Sequence, residues 1–383
     1  MTAGTATVGN VPDSVGGGAT GATGAALGAS RDARSGDAAV VRELAAADWP
    51  AWDAFVAGHR LGTLYHRQPW LDVVRGHFGH TVHCLAAWRG ASLVGALPLV
   101  RLRSRLFGDY LVSIPFVNYG GALAEDDAAL RALLDATGDL ATSLGVTHAE
   151  LRHTEPVELD GFTWPVRTEK VVMVRELPDD PDALLKSLGA KVRSQVKRPQ
   201  REGAVAVRGG AELLDDFYRV FAENMRDLGT PVYAKGFFRA ILDRLGAAAS
   251  IVVIRVGGEP AAAGFLIGDG DRLEIPWASS LRRHNRIGVN MALYGDVLRF
   301  AVESGYARFD FGRSTRDSNT YRFKRQWGAV EQPLNWYYWL APGRELPRLD
   351  PSNPKYALAI RAWQHLPLPV ANLIGPHLVR NLP

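Results

Sequence analysis

The chain has 383 residues, of which 47% are hydrophobic and 22% are charged. This balance is typical of a globular protein long enough for two ordinary cores, and it excludes general disorder. The net charge of +4 is modest, but the cations cluster in patterns that suit either a phosphate-bearing ligand or a solvated face.

Residues 1–38 consist mostly of Gly, Ala, Thr and Ser and carry almost no large apolar side chain. They cannot bury enough surface to offset the entropy lost on ordering, so we predict a disordered tail. The segment from Met1 to Ser30 also lacks the basic start and the continuous apolar core of a secretory signal. The sequence therefore predicts a cytoplasmic protein.

Few residues of the first half suit metal binding or nucleophilic chemistry. His77, His80 and His83 recur every three residues, but the glycines between them argue against a continuous helix, so we predict no metal site. The single cysteine, Cys84, excludes an intrachain disulfide and a zinc site of several thiolates. It lies in an apolar strand pattern, so we expect a small core residue and not a nucleophile.

An internal repeat organises the chain. Each half offers an apolar hairpin, a helix, a glycine suited to a left-handed cap and a further strand, which are 84–99, 126–144, Gly145 and 148–151, and then 251–267, 289–304, Gly305 and 308–311. Counted from these glycines, Glu150 and Asp310 fall at equivalent positions. The repeat predicts an α/β (α+β) fold of two similar units with mixed, largely antiparallel sheets, divided near Pro165.

The second half begins with a basic run and continues with two apolar helices. In the run 191–198, Arg193 and Lys197 are four residues apart, so on a helix they share a face that suits a diphosphate; the alternative is a solvated face. Apolar residues then recur at helical spacing over 213–228 and 237–245, which indicates core packing.

A turn at Gly288 precedes the helix 289–304. Backbone amides and the positive end of a helix at such a turn can hold a phosphate. We therefore predict that Gly288 and four neighbouring side chains grip a phosphate or a ribose: Arg283, His284, Asn285 and Asn290. Asn285 could instead cap the helix.

The segment 309–328 joins an alternating strand to a polar turn and a short basic helix, so one carboxylate and several cations meet at one sheet edge. Asp310 points away from the apolar residues beside it. It could accept a proton from an attacking ammonium, or it could pair with Arg308 or Arg313 and hold the edge together. Asp317 and Thr320 fit turn and cap positions before the helix.

This segment resembles a known family signature. Phe323-Lys324-x-x-Trp327-Gly328, preceded by Phe309-Asp310-Phe311-Gly312-Arg313-Ser314, is similar to the C-terminal signature of FemAB-type aminoacyltransferases, which are built from tandem acetyltransferase-like (GNAT) units. The likeness is greatest to the FemAB-related proteins of exopolysaccharide and PEP-CTERM export systems. Residues 225–231 and the tail motif within 353–376 extend the resemblance over roughly residues 40 to 380.

The resemblance implies two GNAT-like subdomains, at 39–165 and 166–345, and an extension at 346–383. It assigns Lys324, beside Phe323, the stabilisation of the oxyanion that forms in acyl transfer; the alternative is a surface lysine. Asp310 and Arg313 of this segment and the Gly288 turn are further candidates for the site. The turn departs from the usual GNAT spacing, because it reads Asn285-Arg286-Ile287-Gly288-Val289-Asn290.

The function that follows is transfer of an acyl or aminoacyl group onto an amine of a phosphate-bearing cell-envelope precursor, of peptidoglycan or exopolysaccharide. The donor would be acyl-CoA or aminoacyl-tRNA as a co-substrate, and no bound cofactor is implied. Alternatives are a CoA-dependent N-acyltransferase acting on an amino sugar or small amine, and a non-catalytic scaffold of a polysaccharide assembly complex. No stable nucleic-acid partner is expected, because no aromatic stacking face accompanies the cations.

The longest uncharged stretch, 362–379, is interrupted by prolines and polar residues, so we predict that it does not span a membrane. Its large apolar residues could rest on the inner face of the membrane or close over the core, and core packing is favoured for Trp363, Leu366, Leu368, Val370, Leu373, Ile374 and Leu378.

Overall fold

Two sheets form the framework of residues 38–347 and 354–382, which this computed structural model describes. The tail predicted at 1–38 falls outside the described residues, except for Ala38. The strands are β1 (Val40–Glu43), β2 (Thr81–Arg89), β3 (Ser92–Ser104), β4 (Gly108–Val112), β5 (Leu123–Ala124), β6 (His148–His153), β7 (Val166–Arg167), β8 (Lys170–Glu176), β9 (Ala204–Gly209), β10 (Ala249–Val256), β11 (Glu259–Asp269), β12 (Arg272–Ser280), β13 (Arg308–Thr315), β14 (Val330–Pro333) and β15 (Asn335–Leu340).

Helices cover the sheets, and some of them begin or end at a capping residue. They are α1 (Trp49–Gly58), α2 (Gln68–Val73), α3 (Asp127–Leu144), α4 (Pro181–Ser187), α5 (Ala190–Arg201), α6 (Leu214–Leu228), α7 (Lys235–Leu245), α8 (Val289–Glu303), α9 (Asn319–Arg325), α10 (Pro354–Gln364) and α11 (Leu368–Val379). The Asp126 side chain accepts from the amide of Ala129 at the start of α3, and Gly145 ends it with a φ of 64°. The bounds predicted for this helix, 126–144, are confirmed within one residue.

The two sheets have the same arrangement of strands. They differ in where one strand comes along the chain: the strand next to β6 follows the rest of its sheet, whereas the strand next to β13 on the β8 side precedes it. In the first, the order is β1-β2-β3-β4-β6-β15-β7, with β5 on β3; in the second, it is β14-β8-β13-β12-β11-β10-β9. The strands β8 to β14 all belong to the second sheet, and β15 then returns to pair with β6 of the first. The first sheet is thus completed by a strand that follows the second sheet along the chain.

The predicted repeat is confirmed in the strand register. In each sheet one parallel pair interrupts the antiparallel order: β4 with β6, and β12 with β13. Glu150 and Asp310 are both the third residue of the strand in that pair. The fold class is therefore as predicted, with two similar units of mixed, largely antiparallel sheets.

The core is divided among three groups of buried residues. One lies between the first sheet and α3, and another between the second sheet and the helices α4, α5 and α8. The third is built by both halves together and includes Trp52 and Phe116 from the first and Phe217 and Trp277 from the second. Successive side chains of a strand point to opposite faces of the sheet. In the second sheet, the side chains on the face away from α8 therefore point into this shared region.

The C-terminal helix α11 packs with its small residues inward. Ala371 and Gly375 are buried, and a Cβ at Gly375 would lie 2.9 Å from the backbone nitrogen of Val232. Leu373, by contrast, is 71% exposed, and Val370 and Ile374 are also exposed. The expected core packing is wrong for these three residues. Among the described residues, no helix is long and apolar enough to cross a membrane.

Candidate active site

The two central strands of the second sheet separate to form a fork. β12 and β13 pair in parallel at only three positions, from Arg272–Arg308 to Glu274–Asp310. The register of β13 against β8 then shifts between Asp310 and Arg313, and Gly312 has a φ of 75°. Such a bulge bends a strand and re-aims its backbone groups. The fork is thus an opening beside Gly312 in an otherwise hydrogen-bonded sheet.

Asp310 lies at the base of the fork and is fully buried. Its Oδ1 accepts a hydrogen bond from the Gly312 amide at 2.7 Å, and its Oδ2 accepts one from the hydroxyl of Tyr119. Burial raises the pKa of Asp310 to about 7, although the Gly312 amide and the charge of Lys324 oppose the shift. A carboxyl with this pKa can exchange a proton near neutral pH.

The bulge also binds Lys324. This residue is carried by α9, whose first turn is capped by Ser318 and not by Thr320, and only 7% of it is exposed. Its Nζ donates to the carbonyl of Gly312 at 3.0 Å and to that of Arg313 at 2.9 Å. An ammonium has three N–H donors, so one remains for a ligand. Burial lowers the pKa of Lys324 to about 8.

Asp310 makes neither of the ion pairs considered from the sequence. Arg308 instead pairs with Asp271 at 2.6 Å. Arg313 is exposed, and its guanidinium lies 5.1 Å from the ring centroid of Trp336. The buried carboxylate is therefore held by hydrogen bonds and not by an adjacent guanidinium.

The equivalent fork of the first half is closed. Glu150 accepts from Arg152 Nε at 2.7 Å and from the hydroxyl of Tyr338 at 2.8 Å. Arg152 follows Glu150 by two residues, as Gly312 follows Asp310, and its buried side chain occupies the position that glycine leaves open. Only the second fork therefore combines an opening with a carboxylate that has no ion-pair partner within bonding distance.

A polar cleft of about 650 Å³ adjoins the carboxylate. Tyr119 lines the cleft and bonds to Asp310, and the guanidinium of Arg272 lies 4.8 Å from the Tyr119 ring centroid. Both halves line the cleft. Arg60 and Arg308 are paired there with acidic residues, whereas Arg67 makes no ion pair within the described residues, and its Nε is buried without a partner. The cleft can therefore hold an anion.

A second cavity, of about 240 Å³, lies at the start of α8. Gly288, with a φ of 87°, is the N-cap, and no side chain caps the helix, so Asn285 does not have that role. Asn285 and Asn290 line the cavity with Phe323 and with Arg198 of α5. The uncapped amides, the helix dipole and the arginine suit a phosphate group. Phe323, which lines this cavity, immediately precedes Lys324 in α9.

The remaining candidate residues lie elsewhere. Arg193 donates to the carbonyl of Leu188, and Lys197 lines a separate cavity of about 200 Å³ that also contacts Trp327. Arg283 pairs with Glu223. These residues and His284 do not line the cavity at Gly288. Their assignment to phosphate binding stays a prediction.

Three residues of the site were missed in the sequence. Tyr119 and Tyr65 reach from the first half to Asp310 and to Glu274 of β12. The signal for Glu274 was present, since a carboxylate between Leu273 and Ile275 in a buried strand is unusual. No local pattern marks the tyrosines, because their partners are far along the chain. Among the described residues, no group of three or more His, Cys, Asp or Glu could hold a metal ion.

Residues 186–325 match the acetyltransferase (GNAT) domain family. This segment contains α5, the Gly288 turn, Asp310 and Lys324, and hence the open fork and the cavity beside it. No curated protein matches the chain.

Several solved structures share the fold. FemX is 15% identical, with 77% of this chain and 96% of that one covered and a TM-score of 0.56. L-PGS from Bacillus licheniformis is 14% identical, with 85% and 99% covered and a TM-score of 0.54. A tandem GNAT protein from the clavulanic acid biosynthesis pathway is 15% identical, with 81% and 100% covered and a TM-score of 0.50. With the GNAT match, the chain is an acyltransferase on a tandem GNAT-like fold.

Replacing Lys324 by methionine should reduce kcat by about 10²- to 10³-fold if Lys324 stabilises the oxyanion, because the variant lacks that donor. The same change at the exposed Lys191 is the matched control and should leave kcat unchanged. Single-turnover acyl transfer at saturating donor, with thermal unfolding as a check on folding, measures the effect. A Lys324→Met rate within about threefold of wild type would remove Lys324 from the mechanism.

The transfer rate should follow a bell-shaped pH profile, with an acidic limb on which it rises and a basic limb on which it falls. Asp310, with its pKa raised to about 7, must lose its proton to act as a base, so the rate rises through that pH. Lys324, with its pKa lowered to about 8, loses its charge above that pH, so the rate falls. Asp310→Asn should abolish the acidic limb. A flat profile from about pH 6 to 9 would contradict both roles.

Proposed function

We propose that the protein transfers an acyl or aminoacyl group from an activated donor to a primary amine of a cell-envelope precursor. The observation that carries this proposal is the convergence of Asp310 and Lys324 on one bulge of the open fork. Asp310 accepts from the Gly312 amide, while Lys324 donates to the Gly312 carbonyl. A carboxyl group and an ammonium group are therefore bound to opposite edges of the same residue, which supports roles as proton acceptor and as hydrogen-bond donor to the oxyanion.

The chemistry requires four steps. Asp310 takes a proton from the acceptor ammonium, and the freed lone pair forms a bond to the carbonyl carbon of the donor. The carbonyl oxygen becomes an oxyanion and meets the third N–H of Lys324. The C–S bond of a thioester, or the C–O bond of an ester, breaks. The thiolate or alkoxide leaves and is protonated, and the new amide loses its second proton.

The GNAT domain implies acyl-CoA as the donor, and the cavity at Gly288 supports it. The uncapped amides of α8 and the side chains of Arg198 and Arg286 suit the pyrophosphate of CoA. Aminoacyl-tRNA is the second candidate. It is supported by the resemblance of the segment from Phe309 to Gly328 to the FemAB-type signature.

The acceptor is a phosphate-bearing precursor of peptidoglycan or of an exopolysaccharide. This part of the proposal is supported by the FemAB-type resemblance and by the cleft beside Tyr119, where Arg67 has no ion-pair partner in the described chain. A phosphate or carboxylate of the precursor would bind Arg67 while its amine reaches Asp310.

The protein would act in the cytoplasm and at the inner face of the membrane. The support is the exposed apolar face of α11, formed by Val370, Leu373 and Ile374. From residue 354 to the C-terminus there is no Asp or Glu, while Arg361 and His377 are exposed. An exposed apolar face in a segment that has basic but no acidic residues suits an anionic lipid surface.

Purified protein should transfer label from acyl-CoA to lipid-linked or nucleotide-linked envelope precursors, and Arg198→Ala with Arg286→Ala should raise the donor KM most at low salt. The comparison variant, Arg193→Ala with Lys197→Ala, tests the other basic pair of the same region. Aminoacyl-tRNA is assayed in parallel. Transfer from neither donor to any amine would refute the proposed function.

The protein should float with vesicles that contain phosphatidylglycerol and not with pure phosphatidylcholine vesicles, and Leu373→Glu should abolish flotation. Leu106→Glu is the matched control, since Leu106 is 70% exposed on a different part of the surface. Equal flotation of both variants would exclude the α11 face as the contact.

A further inference from the structure

Glu274 is a buried carboxylate with one oxygen left without a partner. It is 2% exposed, and its Oε2 accepts a hydrogen bond from the hydroxyl of Tyr65. Its Oε1 is buried as well but has no hydrogen-bond partner in the described part of the chain. Buried polar atoms are nearly always paired, because an unpaired one is costly. The missing partner points to a ligand.

The position of Glu274 identifies the place of that ligand. Glu274 on β12 and Asp310 on β13 form the last parallel pair before the fork opens. Neighbouring strands are about 4.8 Å apart, and register partners project from the same face. In the closed fork of the first half, the residue opposite Glu150 is Val112. The second carboxylate is therefore present only in the fork that also holds Lys324.

The groups around Glu274 shift its pKa in opposite directions. Burial raises the pKa of Glu274, and Asp269 adds to this effect. Arg272, the Tyr65 hydroxyl and Lys324 favour the ionised form. Asp310 lies on the adjacent strand. A ligand that brings a positive charge and an N–H donor would satisfy both acids at once.

We propose that Glu274 binds the acceptor amine in its ammonium form, with Oε1 accepting one N–H while Asp310 on the next strand removes the proton. This inference rests on the proposed function, since the amine is the acceptor of that reaction. The ligand class is a primary ammonium; a quaternary ammonium has no N–H to donate. Tyr119 and Arg272, which line the cleft, stand on the side from which the amine would arrive.

The first test uses stability and needs no transfer activity. Glu274→Gln should raise the Tm, because it removes a buried charge that has no partner on Oε1. A carboxyl with a raised folded-state pKa destabilises the fold as pH rises above its unfolded value, so the gain should be larger at pH 8 than at pH 5. Glu150→Gln is the matched control and should lower the Tm, since both Glu150 oxygens have partners.

The second test uses methylammonium chloride as the probe and tetramethylammonium chloride at the same ionic strength as its control. Methylammonium should raise the Tm of the wild-type protein by mass action and should not raise that of Glu274→Gln. With an acceptor in hand, Glu274→Gln should raise the amine KM about 10- to 100-fold with little change in kcat.

Three results would overturn the inference. They are a Tm of Glu274→Gln that falls as that of Glu150→Gln does, a methylammonium effect that is absent or equal in both proteins, and an unchanged amine KM. The first would make Glu274 a structural tie to Tyr65. A protein that binds methylammonium through Glu274 but acylates no amine would retain this inference and refute the proposed function.

Discussion

The return of β15 to the first sheet is the constraint on which the rest of the structure depends. The strands β8 to β14 form the second sheet, and β15 then completes the first sheet beside β6. The second half cannot separate from the first without breaking the first sheet, because β15 is hydrogen-bonded to β6 along its length. This fixes the distance between a loop of the first half and a strand of the second. The hydroxyl of Tyr119 can therefore reach the carboxyl group of Asp310 and donate a hydrogen bond to it.

The two forks show how a duplicated unit can divide its roles. Both carry a carboxylate at the third position of the equivalent strand, but Glu150 pairs with Arg152 and accepts a hydrogen bond from Tyr338. The arginine fills the first fork and turns it into structure. In the second fork the corresponding residue is Gly312, which leaves space and two backbone groups free to bind Asp310 and Lys324. A difference of one side chain thus separates a closed fork from an open one.

The open fork concentrates groups that oppose folding. Asp310, Glu274 and Lys324 are buried, and burial shifts each pKa toward its neutral form. Such an arrangement persists only where surrounding structure is stable enough to support it, as it is here between cores built by both halves. Buried groups with perturbed pKa values are typical of sites where protons move. The stability lost at the fork is consistent with selection for chemistry.

The amino-acid sequence by itself determined the local elements. Alternation, helical spacing and cap glycines located the hairpins, α3, α6, α7 and α8, and counting from Gly145 and Gly305 aligned Glu150 with Asp310. The Phe323-Lys324 resemblance indicated the lysine that the structure buries. These features are readable because period and capping depend on residues a few positions apart.

Only the tertiary structure decided which groups meet. Tyr119 lies 191 residues from Asp310 along the chain, and Tyr65 lies 209 from Glu274. The return of β15, which joins the two halves, leaves no periodic mark in the sequence. The same holds for the outward face of α11, where Leu373 is exposed although its pattern favoured the core. Large apolar residues on one face of a helix usually indicate that this face is buried. Small residues such as Gly375 can form the buried face instead when a neighbouring backbone comes close.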